Sequence, residues 1–182
     1  MRSKIAALGL AFALAMPAAV VYAQVMVGGA PMYATKDIID NAVNSKDHTT
    51  LVAAVKAAGL VPTLKGTGPF TVFAPTNDAF AALPAGTVDT LLKPENKATL
   101  VKILTFHVVP GKLTAAALKK QVAEGGGKAT LKTIEGEMLT VTANGDTLMV
   151  TDQKGSTAKI TIVDVIQSNG VILVVDKVLL PA

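Results

Sequence analysis

The spacing of apolar and polar positions divides the chain into a helical part and a strand part. Ile38, Ile39, Ala42 and Val43 recur at helical spacing, behind an Asp37 that favours a helix start electrostatically. Leu51, Val52, Val55 and Ala58 do the same, with Asp47 expected as N-cap and Gly59 as the C-terminal stop. VPTLKGTG reads as a short helical turn and a glycine loop, and PFTVFAP as a buried strand at Phe70–Ala74. Thr76 or Asn77 can cap a helix through DAFAAL. Further helices are expected around Thr87–Leu92, from Glu95 to Thr105 leading into an FHVV strand, and through TAAALKKQVA. From Lys128 the period changes to two, and KATLKTI, EMLTVTA, DTLMVTD, KITIVDVI and VILVVDKVLL follow with turn signals between them. Helices first and strands afterwards, with one early strand between helices, is an α+β pattern and not alternating βαβ.

The clearest turn is Asn144-Gly145, a dipeptide favoured where both central residues of a hairpin need positive φ. A two-residue loop there sets Val141 opposite Leu148 and Leu139 opposite Val150. One face is then aliphatic and the other, with Thr140, Thr142, Thr147 and Met149, mainly hydroxyl, as in half-buried strands.

The two ends of the pattern differ from the rest. Arg2 and Lys4 precede an apolar run from Ile5 to Met16, and Val21-Tyr22-Ala23 fits a small-x-small cleavage site. Residues 1–23 therefore read as a secretory signal peptide, cut between Ala23 and Gln24. The run is short for a membrane span, which needs roughly 20 apolar residues. Residues 24–34 lack periodicity and are expected to be a flexible lead-in, leaving one domain at 35–182. Removing Arg2 and Lys4 takes the net charge from +4 to +2 and leaves no arginine. Without arginine's bidentate contacts, nucleic acid is a poor partner. The chain has no cysteine, so a disulfide scaffold and an acylated lipoprotein anchor are both set aside.

Catalytic and metal signatures do not appear. No GxSxG elbow occurs, and GGGKAT lacks the upstream glycine and the hydroxyl residue of a P-loop. No His/Asp set has metal-ligand spacing, and neither metal nor cofactor is expected. Glu135 and Glu137 lie at a turn, where exposed charge is the simple reading; nothing suggests the paired carboxylates of a glycosidase. His48 opens a helix and reads as exposed or capping. His107 stands among Phe106, Val108 and Val109, so a buried neutral imidazole with two hydrogen-bond partners is expected.

TVFAPTNDAFAALP, LTFHVVPG and SNGVILVVDKVLLP together resemble, in order and spacing, segments characteristic of the fasciclin domain family, in particular its single-domain secreted bacterial members. The resemblance covers Thr35 to Ala182. It implies a wedge-shaped β-sandwich with helices packed along it, and adhesion or matrix contact without enzymatic activity. The family's tyrosine-histidine motif falls on Phe106-His107, with the tyrosine hydroxyl missing. An Asp-Ile pair implicated in integrin binding in animal members falls on Asp164-Val165, and a frequent histidine is replaced by Leu173.

The expected product is an exported monomer, secreted or periplasmic, that binds a cell-surface or extracellular-matrix protein or polysaccharide. Candidate binding residues are Asp164, Val165, Ile166, Phe106 and His107. By strand alternation Asp164 shares a face with Ile160, Ile162 and Ile166. Its carboxylate either accepts N–H groups of the Gln167–Gly170 turn or contacts the ligand. A small-ligand carrier, using an apolar groove between helices and sandwich, is the alternative.

Overall fold

The computed structural model describes residues 24–182, so the signal-peptide reading of residues 1–23 lies outside the described residues. Among these described residues seven α-helices and nine strands follow in chain order, with two short 3-10 turns. A two-stranded ladder comes first, β1 (Met26–Val27) with β2 (Ala30–Pro31). Then come α1 (Ile38–Ala42), α2 (Thr49–Ala58), α3 (Val61–Leu64), β3 (Phe70–Pro75), α4 (Asn77–Ala81) and α5 (Thr87–Leu91). The longer α6 (Lys97–Phe106) runs into β4 (Val108–Pro110), and α7 (Ala115–Glu124) precedes the strand run. That run is β5 (Lys128–Lys132), β6 (Met138–Asn144), β7 (Thr147–Thr151), β8 (Thr157–Gln167) and β9 (Gly170–Val175). The expected α+β architecture is therefore present.

One seven-stranded sheet, ordered β4-β3-β9-β8-β7-β6-β5, supplies both walls of the sandwich. The strand β8 makes this possible. Its start, Thr157–Lys159, pairs with β7, and its remainder, Ile160–Gln167, pairs with β9 across two register shifts. Each shift inserts an extra residue, and a β-bulge bends a strand and increases its twist. Phe73, Leu173 and Val175 then enclose a core with Leu139, Val141, Leu148, Val150 and the α7 residues Leu118 and Val122. On the opposite side of β3 and β9 lies a second core, built with α1, α2 and α6. The parallel pair β3–β9 is covered on both faces, which is why both strands are nearly continuous apolar runs.

Three expectations need correction. Residues 24–34 are packed, with Val27, Ala30 and Met32 buried in the helical core. A ladder two residues long turning at Gly28-Gly29 leaves no periodicity to read. Asp47 does not cap α2; it lies in a 3-10 turn, and Asn77 Oδ1, from the start of α4, accepts the Thr50 N–H at 3.0 Å instead. The β6–β7 hairpin keeps the expected faces but slides along itself. Asn144 pairs with Thr147 and Val141 with Val150, so the central residues are Gly145 and Asp146. Of these two only Gly145 has positive φ, at 60°, and a hairpin turn of type II′ needs it at the first central position alone.

Candidate binding surface

His107 follows the last residue of α6, and its ring turns inward rather than lying along a strand. The Leu179 N–H donates to Nε2 at 3.0 Å. Nε2 is therefore the bare nitrogen, and Nδ1 carries the proton and donates to the Ile103 carbonyl at 2.8 Å. Burial disfavours the charged ring and pushes its pKa down to about 4, against smaller opposing pulls from the Ile103 carbonyl and the Asp152 charge. The neutral, buried, doubly bonded imidazole expected from the sequence is what the fold contains.

Leu179 belongs to a segment after β9 held largely by side chains. The Leu180 N–H donates to Asp152 Oδ2 at 3.0 Å, and the Ala182 N–H to Glu137 Oε2 at 2.8 Å. Lys102 Nζ donates to the Ala182 carbonyl at 3.1 Å and pairs with Glu137 at 3.2 Å. Glu135 and Glu137 are thus not idle charges: Glu135 accepts the Glu137 N–H, and Glu137 ties down residue 182. Asp152 also closes the β7–β8 turn by accepting the Lys154 and Ser156 N–H groups.

This placement corrects part of the expected binding set. Phe106 is wholly enclosed and His107 is 2% exposed, so neither can touch a partner on the surface. Enclosure also explains why a phenylalanine suits position 106, since a buried hydroxyl there would require a partner. Val165 is fully buried as well. Of the five candidates only Asp164 and Ile166 reach the outside.

Asp164 sits in the irregular stretch between Ile162 and Val165 with φ 55°, the one positive value at a non-glycine residue among the described residues. Aspartate tolerates that region better than most residues. The bulges break the alternation assumed from sequence, so that Val165 and Ile160 are buried while Asp164 is half-buried. Its Oδ1 accepts the Ala115 N–H at 2.6 Å, in the first turn of α7, where the helix dipole favours a carboxylate. The expected partner in the Gln167–Gly170 turn is replaced by this one. There, Asn169 and Gln167 face inward instead. Asn169 accepts the Ile38 N–H and donates to the Leu64 and Gly66 carbonyls, and Gln167 accepts from Asn41. Asp164 Oδ2 has no hydrogen-bond partner among the described residues, and the residue lines a cleft of about 370 Å³. Val25, Met32, Tyr33, Thr35, Ile166 and, at its floor, the buried Val165 are among the other lining residues, so three of the five expected residues meet at this cleft. The Lys36 ammonium lies 5.0 Å from the Tyr33 ring centroid.

The environment of His48 was not legible in the sequence. The ring is 3% exposed, not at the surface, and its Nδ1 lies 2.9 Å from Ser45 Oγ. This Ser-His contact is no nucleophile-base pair, because both residues are enclosed and no carboxylate orients the ring. The i, i+3 spacing of Ser45 and His48 was the available signal, but the residues that cover them come from the stretch read as a lead-in. Among the described residues no group of three His, Cys, Asp or Glu side chains could hold a metal. No helix among them is long and apolar enough to cross a membrane.

A seven-stranded sheet bent by its bulged strand, with α1, α2 and α6 on one side of β3–β9, α7 on the other, and a bulge carboxylate on β8, defines an α+β domain. The chain belongs to the fasciclin domain family, whose model matches residues 46–181. It is 52% identical to protein sll1483 of Synechocystis sp. over 79% of this chain and 73% of that one. It is 37% identical to immunogenic protein MPB70 of Mycobacterium bovis, over 77% of this chain and 66% of that protein. Human periostin is 32% identical across 82% of this chain, which spans only 16% of periostin's length. The structure superposes on a FAS1 domain pair from the insect cell adhesion molecule Fasciclin I with a TM-score of 0.72 at 18% identity, over 80% of this chain and 51% of that one.

Proposed function

We propose that this protein is an exported, non-enzymatic binding module that attaches to a cell-surface or extracellular-matrix protein or polysaccharide through the cleft at Asp164. One observation carries the reading. A left-handed aspartate in the irregular part of β8 has one carboxylate oxygen anchored to α7 and the other unpaired, and it lines a cleft of about 370 Å³. Strained residues that the surrounding fold holds in place cluster at binding sites, and the cleft lies within the range of ligand-taking pockets, roughly 300–1,000 Å³. Ile166, Val25 and Met32 provide apolar contact beside the charge. Family membership supports the same reading, since Fasciclin I is by its own description a cell adhesion molecule. The carrier reading gains less support. The apolar cavity between helices and sheet holds only about 40 Å³, far below a pocket for a drug-sized ligand.

Asp164→Asn tests the proposal. Asparagine keeps an oxygen for the Ala115 N–H and removes the charge at the cleft. The expected result is an unchanged melting temperature with reduced retention on a glycan and matrix array. Unchanged retention removes Asp164 from the binding surface. Export has its own test: mass spectrometry of the native protein should find Gln24 at the N-terminus. An intact Met1–Ala23 segment on membranes would mean an anchor in place of a signal.

A further inference from the structure

The strands β5, β6, β7 and the start of β8 turn their apolar residues into the core shared with α7. Their alternate residues face the other way and are half-buried or exposed on each of these strands. The register sets those outward residues in rows. Thr130 pairs with Thr140, Thr140 with Thr151, and Thr151 with Thr157. Threonines on four successive strands thus form one line, and at its end Thr151 Oγ1 lies 3.0 Å from Thr157 Oγ1. In the next row Lys128 pairs with Thr142, Thr142 with Met149, and Met149 with Lys159. On the other side of the threonine line Lys132 pairs with Met138. Neighbouring strands lie ~4.8 Å apart and alternate residues ~7 Å apart, so the line is about 14 Å long and the rows are about 7 Å apart.

Lysines flank the threonine line on both sides. None of the seven ion pairs among the described residues uses Lys128, Lys132 or Lys159. No aspartate or glutamate takes an outward position on these strands. The carboxylates around them are engaged elsewhere: Asp146 with Lys119, Glu137 with Lys102, Asp152 in the β7–β8 turn, and Asp176 Oδ1 with the Lys159 N–H at 2.7 Å. Lysines on an edge strand discourage pairing with another sheet, which accounts for Lys128 and Lys132 on β5. It does not account for Lys159 on β8, three strands in from that edge, or for the missing carboxylates.

Three properties specify what would fit this face. A threonine hydroxyl both donates and accepts, as a sugar hydroxyl does. Threonine is stiff about χ1, so ordering the line on contact costs little side-chain entropy. Ammonium groups with no partner of their own attract carboxylates. The outward positions hold neither an aromatic ring to stack on a base nor an arginine to grip phosphate in two places. We propose that this face binds an acidic polysaccharide chain, its hydroxyls along the threonine line and its carboxylates against Lys128, Lys132 and Lys159. The site is separate from the cleft at Asp164 and does not depend on it.

The test follows backbone amides by NMR while an oligomer of galacturonic acid is titrated into the protein. The expected result is saturable shifts at Thr140, Thr142 and Lys159 that shrink with added salt, and none with a neutral galactose oligomer. Exchanging Lys128→Gln and Lys159→Gln together should weaken binding about fivefold. Thr140→Val keeps the branched shape and removes one hydroxyl from the middle of the line. It should weaken the galacturonate oligomer about threefold and leave binding of a polyphosphate of matching length unchanged. All three substitutions lie on the outward face, and a retained amide spectrum shows that the fold survives them. Polyphosphate that binds the face as tightly as the galacturonate oligomer overturns the proposal, as does unaltered affinity in Thr140→Val. Shifts confined to Asp164, Ile166 and Tyr33 would place the polysaccharide in the cleft and overturn it as well.

Discussion

His107 and His48 line the same small cavity, and the fold treats them differently. The ring of His107 bridges the end of α6 and the segment after β9, donating to Ile103 and accepting from Leu179. The ring of His48 lies near the N-terminal ladder; Ser45 Oγ meets its Nδ1, and its Nε2 meets no acceptor at good geometry, though the Ala74 backbone acts on the ring. Burial holds both pKa values below that of an ordinary histidine. Burial alone therefore does not distinguish a structural histidine from one with an uncommitted nitrogen. What distinguishes them is whether each nitrogen faces a backbone group that has no other bond. Around His107 the backbone depends on the ring; around His48 it does not.

The largest consequence is for His107→Ala. The change removes packing and leaves the Leu179 N–H and the Ile103 carbonyl short of a partner in the interior. A loss of about 3–4 kcal/mol is expected by chemical denaturation, combining a buried truncation with an unsatisfied donor. A loss under 1 kcal/mol would show that the segment after β9 holds itself.

Acid provides the next test. The folded-state pKa of His107 lies near 4, below the ordinary 6.5 of the unfolded chain. Between these values the unfolded state takes up a proton that the folded state refuses. Stability contributed by the neutral ring is complete above about pH 6.5, falls as pH drops through that window, and is lost by about pH 4. The gap between the folded and unfolded values corresponds to about 3 kcal/mol. His48 pulls in the same direction, so the measurement compares wild type with His107→Leu across pH 4–7. The variant should show the shallower slope; parallel curves would assign the acid sensitivity elsewhere.

Asp152 sharpens the same comparison from the neighbouring residue. Its Oδ1 serves the Lys154 and Ser156 N–H groups and its Oδ2 serves Leu180. Asp152→Asn keeps one acceptor oxygen and turns the other into a donor, so either the turn or the segment after β9 loses its bond. The expected cost is about 1–2 kcal/mol, read as a lower thermal midpoint. If residues 178–182 also gain hydrogen exchange, the side-chain clamps act together.

How much of this the sequence disclosed depended on whether a period carried it. Leu139, Val141, Leu148 and Val150 alternate with hydroxyl residues, and the buried face of the β6–β7 hairpin follows directly. The position of its turn did not follow, because Asn-Gly and Gly-Asp both make acceptable two-residue loops and both keep the same face inward. In β8 the register shifts fall among threonine, isoleucine and valine, which carry no bulge signal, so the break in alternation around Asp164 and its contact with α7 did not show. His107 was legible because its neighbours are apolar on both sides. His48 was not, because Asp47, Thr49 and Thr50 surround it with polar side chains and its cover comes from a turn about 20 residues earlier.

The smallest expected effect is the most discriminating. His48→Leu replaces a ring with an unpaired buried nitrogen by an aliphatic chain of smaller volume. Two terms oppose each other. Removing the ring forfeits its packing and its bond to Ser45, leaving the Ser45 hydroxyl free to turn to a neighbouring carbonyl. Removing Nε2 relieves an unmade hydrogen bond, itself a penalty of about 1–3 kcal/mol. The terms are of similar size, so stability should change by less than about 1 kcal/mol, in contrast to the large loss at His107. A loss of 3 kcal/mol or more would mean that Nε2 is already paired in solution. The ring would then be a structural fixture like its counterpart, and the contrast between the two histidines would disappear.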